Sequence, residues 1–227
     1  MNNSFVQEYI KLHNDNKSFG STGEHYLKEV CLFIDFLKPK VVLDYGCGKC
    51  SLINKLKEIY PSIQFYGYDP AIEDKNVLPV NKADFVINTD VLEHIPVSDV
   101  ENTIKEISLI SKNCYFYLNH APAMHILPNG QNAHCTIKPA SWYYNIMDKY
   151  FDMIIPLKGR SEFTSVVITF GLLPNYINQY YSILEAKPKI NYMKKFFQSL
   201  FSVKNEGNKK IIRIIGFKIK IPKRKYK

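Results

Sequence analysis

The chain lacks what a membrane or a secretory pathway would require. No window approaches the run of about 18 apolar residues that a spanning helix needs. The opening segment, MNNSFVQEYIKLHNDNK, holds acids and no apolar run, so it does not read as a secretion signal. Cysteine is sparse: five occur, at 31, 47, 50, 114 and 135. Only Cys47 and Cys50 are closely spaced, and no second pair completes a zinc set. The odd count, with no evident pairing scheme, points to a reducing compartment, and a cytoplasmic location is expected. The C-x-x-C also fits a redox pair, but Asp44 and Gly48 beside it fit another task better.

Most of the chain also lacks net charge. Nine Lys and Arg, and no acid, lie between Lys209 and Lys227, while residues 1–208 hold 21 groups of each sign. The neutral body removes the charge argument for nucleic acid. No Asn-Pro-Pro-Tyr-type tetrad suited to an extruded base is present, so no nucleic acid is expected as a partner. The basic end needs its own explanation, and a membrane surface or a partner protein is the candidate.

What is present is strand–helix alternation. Residues 4–14 and 24–38 read as helices. In the second, Tyr26, Leu27, Val30, Cys31, Ile34 and Leu37 recur at helical spacing, and Lys38-Pro39-Lys40 ends it. Strands are expected at Val41–Tyr45, Ile63–Tyr68, Asp84–Asn88, Asn113–Leu118, Met153–Pro156 and Thr164–Phe170, with a further short one at Val77–Val80. Helices are expected at Ser51–Tyr60, up to Ser111 and over Pro139–Tyr150. Ser98 reads as an N-cap, with Glu101 completing a capping box. Residues 120–137 read as a loop. The pattern predicts an α/β fold, a doubly wound and mostly parallel sheet flanked by helices. Residues 1–171 form the expected main domain. Residues 172–227 form a C-terminal extension, with an amphipathic helix over Met193–Phe201 and a strand at Phe217–Ile221 (FKIKI).

The densest signal is VVLDYGCGKCSL, Val41 to Leu52. A buried strand ends in an acid, Asp44, and enters a turn at Gly46 and Gly48. A dinucleotide fingerprint, G-x-G-x-x-G, fails here because its third position is Ser51. A ligand without a pyrophosphate asks for less: a tight turn, an acid facing a cationic group, and a second acid for ribose hydroxyls. Asp69, ending the next strand in FYGYDP, is placed for the last.

The segment Asp44-Tyr45-Gly46-Cys47-Gly48 resembles the D-x-G-x-G motif of class I S-adenosylmethionine-dependent methyltransferases. Asp69 matches their second-strand acid, and Asn88 to Ile95 (NTDVLEHI) resembles the segment after their fourth strand. The resemblance implies a seven-stranded-type sheet and S-adenosylmethionine as cofactor. It also implies a cofactor site of Asp44, Gly46, Cys47, Gly48, Asp69, Pro70, Asp90 and Val91. The family usually has glycine at Cys50, where a small thiol is expected to be tolerated at negative φ. Phe19 and Gly20 are expected to close over the cofactor. His134, in LPNGQNAHC, falls where similar enzymes carry a substrate loop and is the first choice as general base, with His94 second. His120 and His125 are expected to stand aside. Asp90, Glu93 and His94 have metal-ligand types, but no matching set lies elsewhere, so no metal is expected.

The expected reaction is methyl transfer to a small-molecule acceptor. The basic tail resembles tails of bacterial surface-polysaccharide enzymes, which suggests a sugar or activated precursor for capsule or lipooligosaccharide, handled at the inner membrane face. A lipid or quinone acceptor, an NAD-dependent epimerase or dehydrogenase, and a non-catalytic cofactor-binding scaffold are the alternatives. Against NAD chemistry, the only Tyr-x-x-x-Lys, Tyr45 to Lys49, lies in the glycine turn.

Overall fold

The computed structural model describes residues 3–171, 201–206, 209–214 and 217–222. The chain divides into two compact units, Met1–Leu172 and Leu173–Lys227.

In the first unit, α1 (Asn3–Asp15) precedes a tight turn of helix at Thr22–Tyr26 and α2 (Leu27–Leu37). Lys38 ends α2 in the left-handed region (φ 49°), returning its N–H to the Ile34 carbonyl. The following Pro39 disfavours helical backbone at Lys38, so the stop is local chemistry. Six strands follow: β1 (Val41–Tyr45), β2 (Gln64–Tyr68), β3 (Phe85–Thr89), β4 (Cys114–Asn119), β5 (Met153–Lys158) and β6 (Thr164–Phe170). Between them lie α3 (Ser51–Ile59), α4 (Val97–Ile110) and α5 (Ala140–Met147).

The sheet order is β2-β1-β3-β4-β6-β5. β1 to β4 pair in parallel, and β6 pairs antiparallel with both β4 and β5. Both faces are covered. Leu43, Val86, Phe116 and Leu118 pack with Ile104 and Ile107 of α4 and Tyr143 and Met147 of α5. On the other face, Phe33 of α2 meets Phe85 and Tyr115. Burial on two faces explains why β3 and β4 read as continuous apolar runs.

Two expectations are corrected. Val77–Val80 forms no strand, so the sheet has six strands and β2 is its edge. The linker Asp69–Asp84 is spent on a loop that returns the Lys75 carbonyl to the Asp69 N–H, 3.0 Å. The capping box also fails. α4 starts at Val97 behind Pro96, whose fixed φ already suits a helix entry. Ser98 bonds Asp99 instead, and Glu101 takes Lys149 and Tyr150.

The second unit contains β7 (Phe201–Glu206), β8 (Lys209–Ile214) and β9 (Phe217–Pro222), an antiparallel meander. β9 contains the FKIKI strand read from its alternation. The amphipathic helix expected over Met193–Phe201 lies outside the described residues, except Phe201, which opens β7.

Candidate functional site

The strand order reverses between β1 and β3, the place where open α/β sheets form a crevice. A cavity of about 360 Å³ lies there, at the C-terminal ends of β1 to β4. Its deep wall is made by the turns that leave those strands.

Gly46 (φ 88°) turns the chain out of β1, and its N–H and that of Cys47 both donate to the Tyr68 carbonyl (2.7 and 3.0 Å). A Cβ at Gly46 would fall 2.2 Å from Val91 Cγ2, and one at Gly48 (φ 49°) would fall 2.4 Å from the Gly20 carbonyl oxygen. Both positions therefore exclude side chains on two counts, conformation and space. Asp69 is buried, and its two carboxylate oxygens accept the N–H groups of Gly48 and Ala71, each at 2.9 Å. The second-strand acid thus fixes the shape of the first-strand turn.

Asp44 lines the same wall at 3% exposure, and its Oδ1 has no hydrogen-bond partner. Burial, with Cys50 and Asp69 nearby, pushes its carboxyl up to about 8. A buried acid without a partner beside a cavity favours a cationic or donating ligand. Asp90 (φ 53°) also lines the cavity and accepts the Tyr26 hydroxyl. Burial raises its carboxyl, and the Tyr26 hydrogen bond opposes that rise.

The opposite side of the cavity is a roof assembled from distant segments. Phe5, Val6, Tyr9 and His13 of α1 line it, together with Phe19, His94 and the loop residues Ala123, Met124, His125 and His134. The loop holds its own shape. Asn132 exchanges two hydrogen bonds with Ala123, and Gln131 binds Leu127. The Tyr9 hydroxyl donates to the Ala133 carbonyl at 2.6 Å and lies 3.0 Å from the His94 carbonyl, tying α1 to the loop.

The His94 and His134 rings lie edge to face, 4.7 Å between centroids. His94 Nδ1 is 2.8 Å from the Ala133 carbonyl, and His134 Nδ1 is 2.5 Å from the Ala121 carbonyl. Since a carbonyl can only accept, both Nδ1 atoms carry the proton and both Nε2 atoms carry a lone pair. Burial lowers both histidines, His94 to about 3. Near neutrality both rings are therefore uncharged proton acceptors.

Sequence reasoning located the strand-end residues and both histidines. It missed Tyr9, His13 and Tyr26, whose only signal was helical spacing. His125 lines the cavity, with its ring against Phe19 (5.4 Å). His120 is outside the cavity lining, with its ring nitrogens at the Lys138 carbonyl and the Ser165 hydroxyl. Phe19 and Gly20 both reach the cavity, and the Gly20 carbonyl accepts the Lys49 N–H. Glu93 is fully buried and outside the lining. Its Oε1 accepts the Asn119 N–H and its carbonyl that of Thr136, so it joins β4 to the loop. Cys50 corrects an expectation: its φ is 59°, not negative. Among the described residues, no group of His, Cys, Asp and Glu is arranged to hold a metal.

Residues 22–147 match the model of a methyltransferase domain family. The chain belongs to that methyltransferase family. A search of curated proteins gives no match. Solved structures share the methyltransferase fold at low identity. A candidate O-methyltransferase from Nostoc punctiforme is 11% identical and superposes with a TM-score of 0.51, over 73% of this chain and 59% of that one. The methyltransferase domain of bacterial CtHen1 is 16% identical, with a TM-score of 0.50, over 65% of this chain and 98% of that one. An O-methyltransferase family protein from Burkholderia thailandensis is 11% identical, with a TM-score of 0.47, over 66% of this chain. This chain spans 58% of the length of the Burkholderia protein.

The cofactor of this methyltransferase domain is S-adenosylmethionine, and the wall suits it. Asp44 Oδ1, buried and without a hydrogen-bond partner, offers an acceptor for an amino group. Asp69 keeps free lone pairs beside its two backbone bonds. A Cβ at Gly46 or Gly48 would strike Val91 or Gly20, so only glycines let the turn follow this tight course along the cavity.

Proposed function

We propose that the protein methylates a hydroxyl of a small acceptor, a sugar or an activated sugar precursor of surface-polysaccharide biosynthesis. Asp44, Gly46, Cys47, Gly48, Asp69, Pro70, Asp90 and Val91 form the cofactor side, with Asp69 on the ribose hydroxyls and Asp44 toward the amino group. S-adenosylmethionine supplies an electrophilic methyl group on a sulfonium. The acceptor lies under the roof, aligned so that its oxygen faces that carbon. His134 Nε2 takes the hydroxyl proton, and His94 stands next to it as a second acceptor. The observation that carries this reading is the pair of neutral histidines, each fixed in one tautomer by a backbone carbonyl.

A specific observation also favours an apolar acceptor, a lipid or quinone. Phe5, Val6, Phe19 and Met124 line the same cavity, and Met124 is 96% exposed. Labelled methyl transfer to a panel of sugar nucleotides, free glycans, quinones and lipids decides between the two. Label in the polar acceptors supports the first reading, and label confined to the organic phase overturns it.

The basic end is proposed to hold the enzyme at an anionic membrane surface, where each Lys or Arg contributes about 1 kcal/mol. Among the described residues no helix is long and apolar enough to cross a membrane. A chain ending at Asn208 should keep its turnover on a soluble acceptor and no longer sediment with anionic vesicles at low salt. Undiminished sedimentation would refute docking through this end.

A further inference from the structure

Cys47 and Cys50 face each other across the glycine turn, with their Sγ atoms 3.4 Å apart. Both are free thiols. Cys47 is buried and lines the cofactor cavity, while Cys50 is partly exposed and caps the nine-residue helix α3.

Three independent features mark this pair. Cys50 sits at φ 59°, a conformation that favours glycine, yet carries a thiol. Gly67 of β2 lies beneath the sulfurs: a Cβ there would lie 2.8 Å from Cys47 Sγ and 3.0 Å from Cys50 Sγ, so a larger residue would push the thiols aside. The two thiols also differ. Cys50 is pulled down to about 7, first by its sulfur–sulfur hydrogen bond with Cys47, with Lys75 and Lys57 assisting and burial and Asp74 opposing. Cys47 is driven upward by that same hydrogen bond, by burial and by Asp44. One sulfur is suited to attack and its neighbour to resolve.

We infer that Cys47 and Cys50 form a peroxide-sensitive dithiol that closes to a disulfide and weakens cofactor binding. The Cys50 thiolate attacks one peroxide oxygen. An S–O bond forms, the O–O bond breaks, and the departing hydroxide takes up a proton. Cys47 Sγ then attacks Cys50 Sγ. The S–S bond forms and the S–O bond breaks, and the Cys47 proton leaves with the second oxygen as water. Two thiols lose two electrons, and hydrogen peroxide becomes two waters.

Closing the bond draws the sulfurs together by roughly 1.4 Å, to the usual 2.05 Å. The turn cannot absorb this without moving. Cys47 N–H is bonded to the Tyr68 carbonyl, Cys50 N–H to the Cys47 carbonyl, and Gly48 N–H to Asp69. The displacement therefore reaches Asp69, the residue assigned to the ribose.

The test treats the full-length protein with hydrogen peroxide, maps its peptides without reduction, and measures S-adenosylhomocysteine binding by calorimetry. The expected result is a Cys47–Cys50 cross-link and a dissociation constant raised at least about 10-fold, the size of penalty a displaced positioning group brings. Dithiothreitol should reverse both. Cys50→Gly, which suits the backbone, should bind within a few-fold of the reduced wild type and ignore peroxide. Cys50→Ser replaces it if the glycine variant misfolds. Absence of the cross-link, a cross-link that leaves affinity unchanged, or a peroxide response in the Cys50 variants would each overturn the inference. The inference rests on the cofactor side alone. A reduced protein that failed to bind S-adenosylhomocysteine would remove that assignment too, whereas an acceptor other than a sugar would leave the inference intact.

Discussion

The wall and the roof of the cavity are built on opposite principles. The wall is made by the chain leaving β1, β2 and β3, which meets the cavity within a few residues of each strand end. Its polar groups are held by neighbouring backbone: Asp69 by Gly48 and Ala71, Gly46 by Tyr68. The roof joins α1 to a loop more than a hundred residues away, through contacts such as Tyr9 to Ala133. The wall suits a constant ligand, and the roof suits whatever acceptor its side chains select. On the proposed function, acceptor specificity would lie where the chain is least local.

The sharpest way to break the comparison is His134→Asn. The amide keeps much of the ring's volume and loses the basic nitrogen, so kcat should fall by about 10²-fold or more. Affinity for S-adenosylhomocysteine should stay within about twofold, since His134 belongs to the roof. A rise in the dissociation constant with no fall in kcat would place His134 on the cofactor side, and no change in either would make His94 the base.

Asp69→Ala acts on the wall. It removes the acceptor for two backbone N–H groups and the proposed ribose partner, and should weaken S-adenosylhomocysteine by about 1–3 kcal/mol. Unchanged calorimetric binding in the folded variant would remove Asp69 from the cofactor.

Asp44→Asn should separate stability from binding. In the ligand-free protein the Asp44 carboxyl is raised to about 8, well above its unfolded value. The folded state therefore holds this proton more tightly than the unfolded chain. Its stabilising contribution is fully present at low pH and is lost as pH rises toward 8. The neutral amide avoids that loss. The variant should melt at least about 3 °C higher than wild type near pH 8, with little difference at about pH 4 and below. It should also bind S-adenosylhomocysteine less tightly, and lack the tightening of wild type between about pH 6 and pH 8 that ionising Asp44 brings. A melting difference that does not vary with pH would rule this out.

The smallest effect belongs to Tyr9→Phe. It deletes one hydrogen bond between α1 and the loop, about 1 kcal/mol of stability. Turnover should drop a few-fold while cofactor affinity holds. Equal losses in kcat and cofactor affinity would show that roof and wall move together.

What the sequence made legible follows the same division. Asp44, Gly46 and Gly48 announce themselves because a strand ending in an acid and two glycines has a meaning within five residues, and Asp69 because it ends the next strand. His94 and His134 were readable as candidates, but their 4.7 Å contact was not, since it depends on how the loop folds back over β3 and β4. Tyr9, His13 and Tyr26 carry no local mark, and only tertiary packing turns a helical stripe into a cavity lining. The sheet was legible except for Val77–Val80, whose apolar residues promised a strand that the short linker does not form. Cys50 was misjudged because backbone handedness at a single residue has no signature in composition.

Arg160, in the turn between β5 and β6, stacks 4.9 Å from the Tyr26 ring and bonds both Glu29 and the His25 carbonyl. It thereby fastens the N-terminal helical segment to the last hairpin of the sheet, and Tyr26 in turn holds Asp90. During synthesis, ribosomes deliver the residues of the glycine turn long before residue 160 emerges, so a nascent chain possesses the motif without the finished pocket. If the cofactor needs Tyr26 held against Asp90, its capture waits for the hairpin to close. A ligand that binds only the closed form then opposes the hairpin's opening. Slower amide exchange at Ser165 on adding S-adenosylhomocysteine, at a strand that does not line the cavity, would be the trace of that coupling.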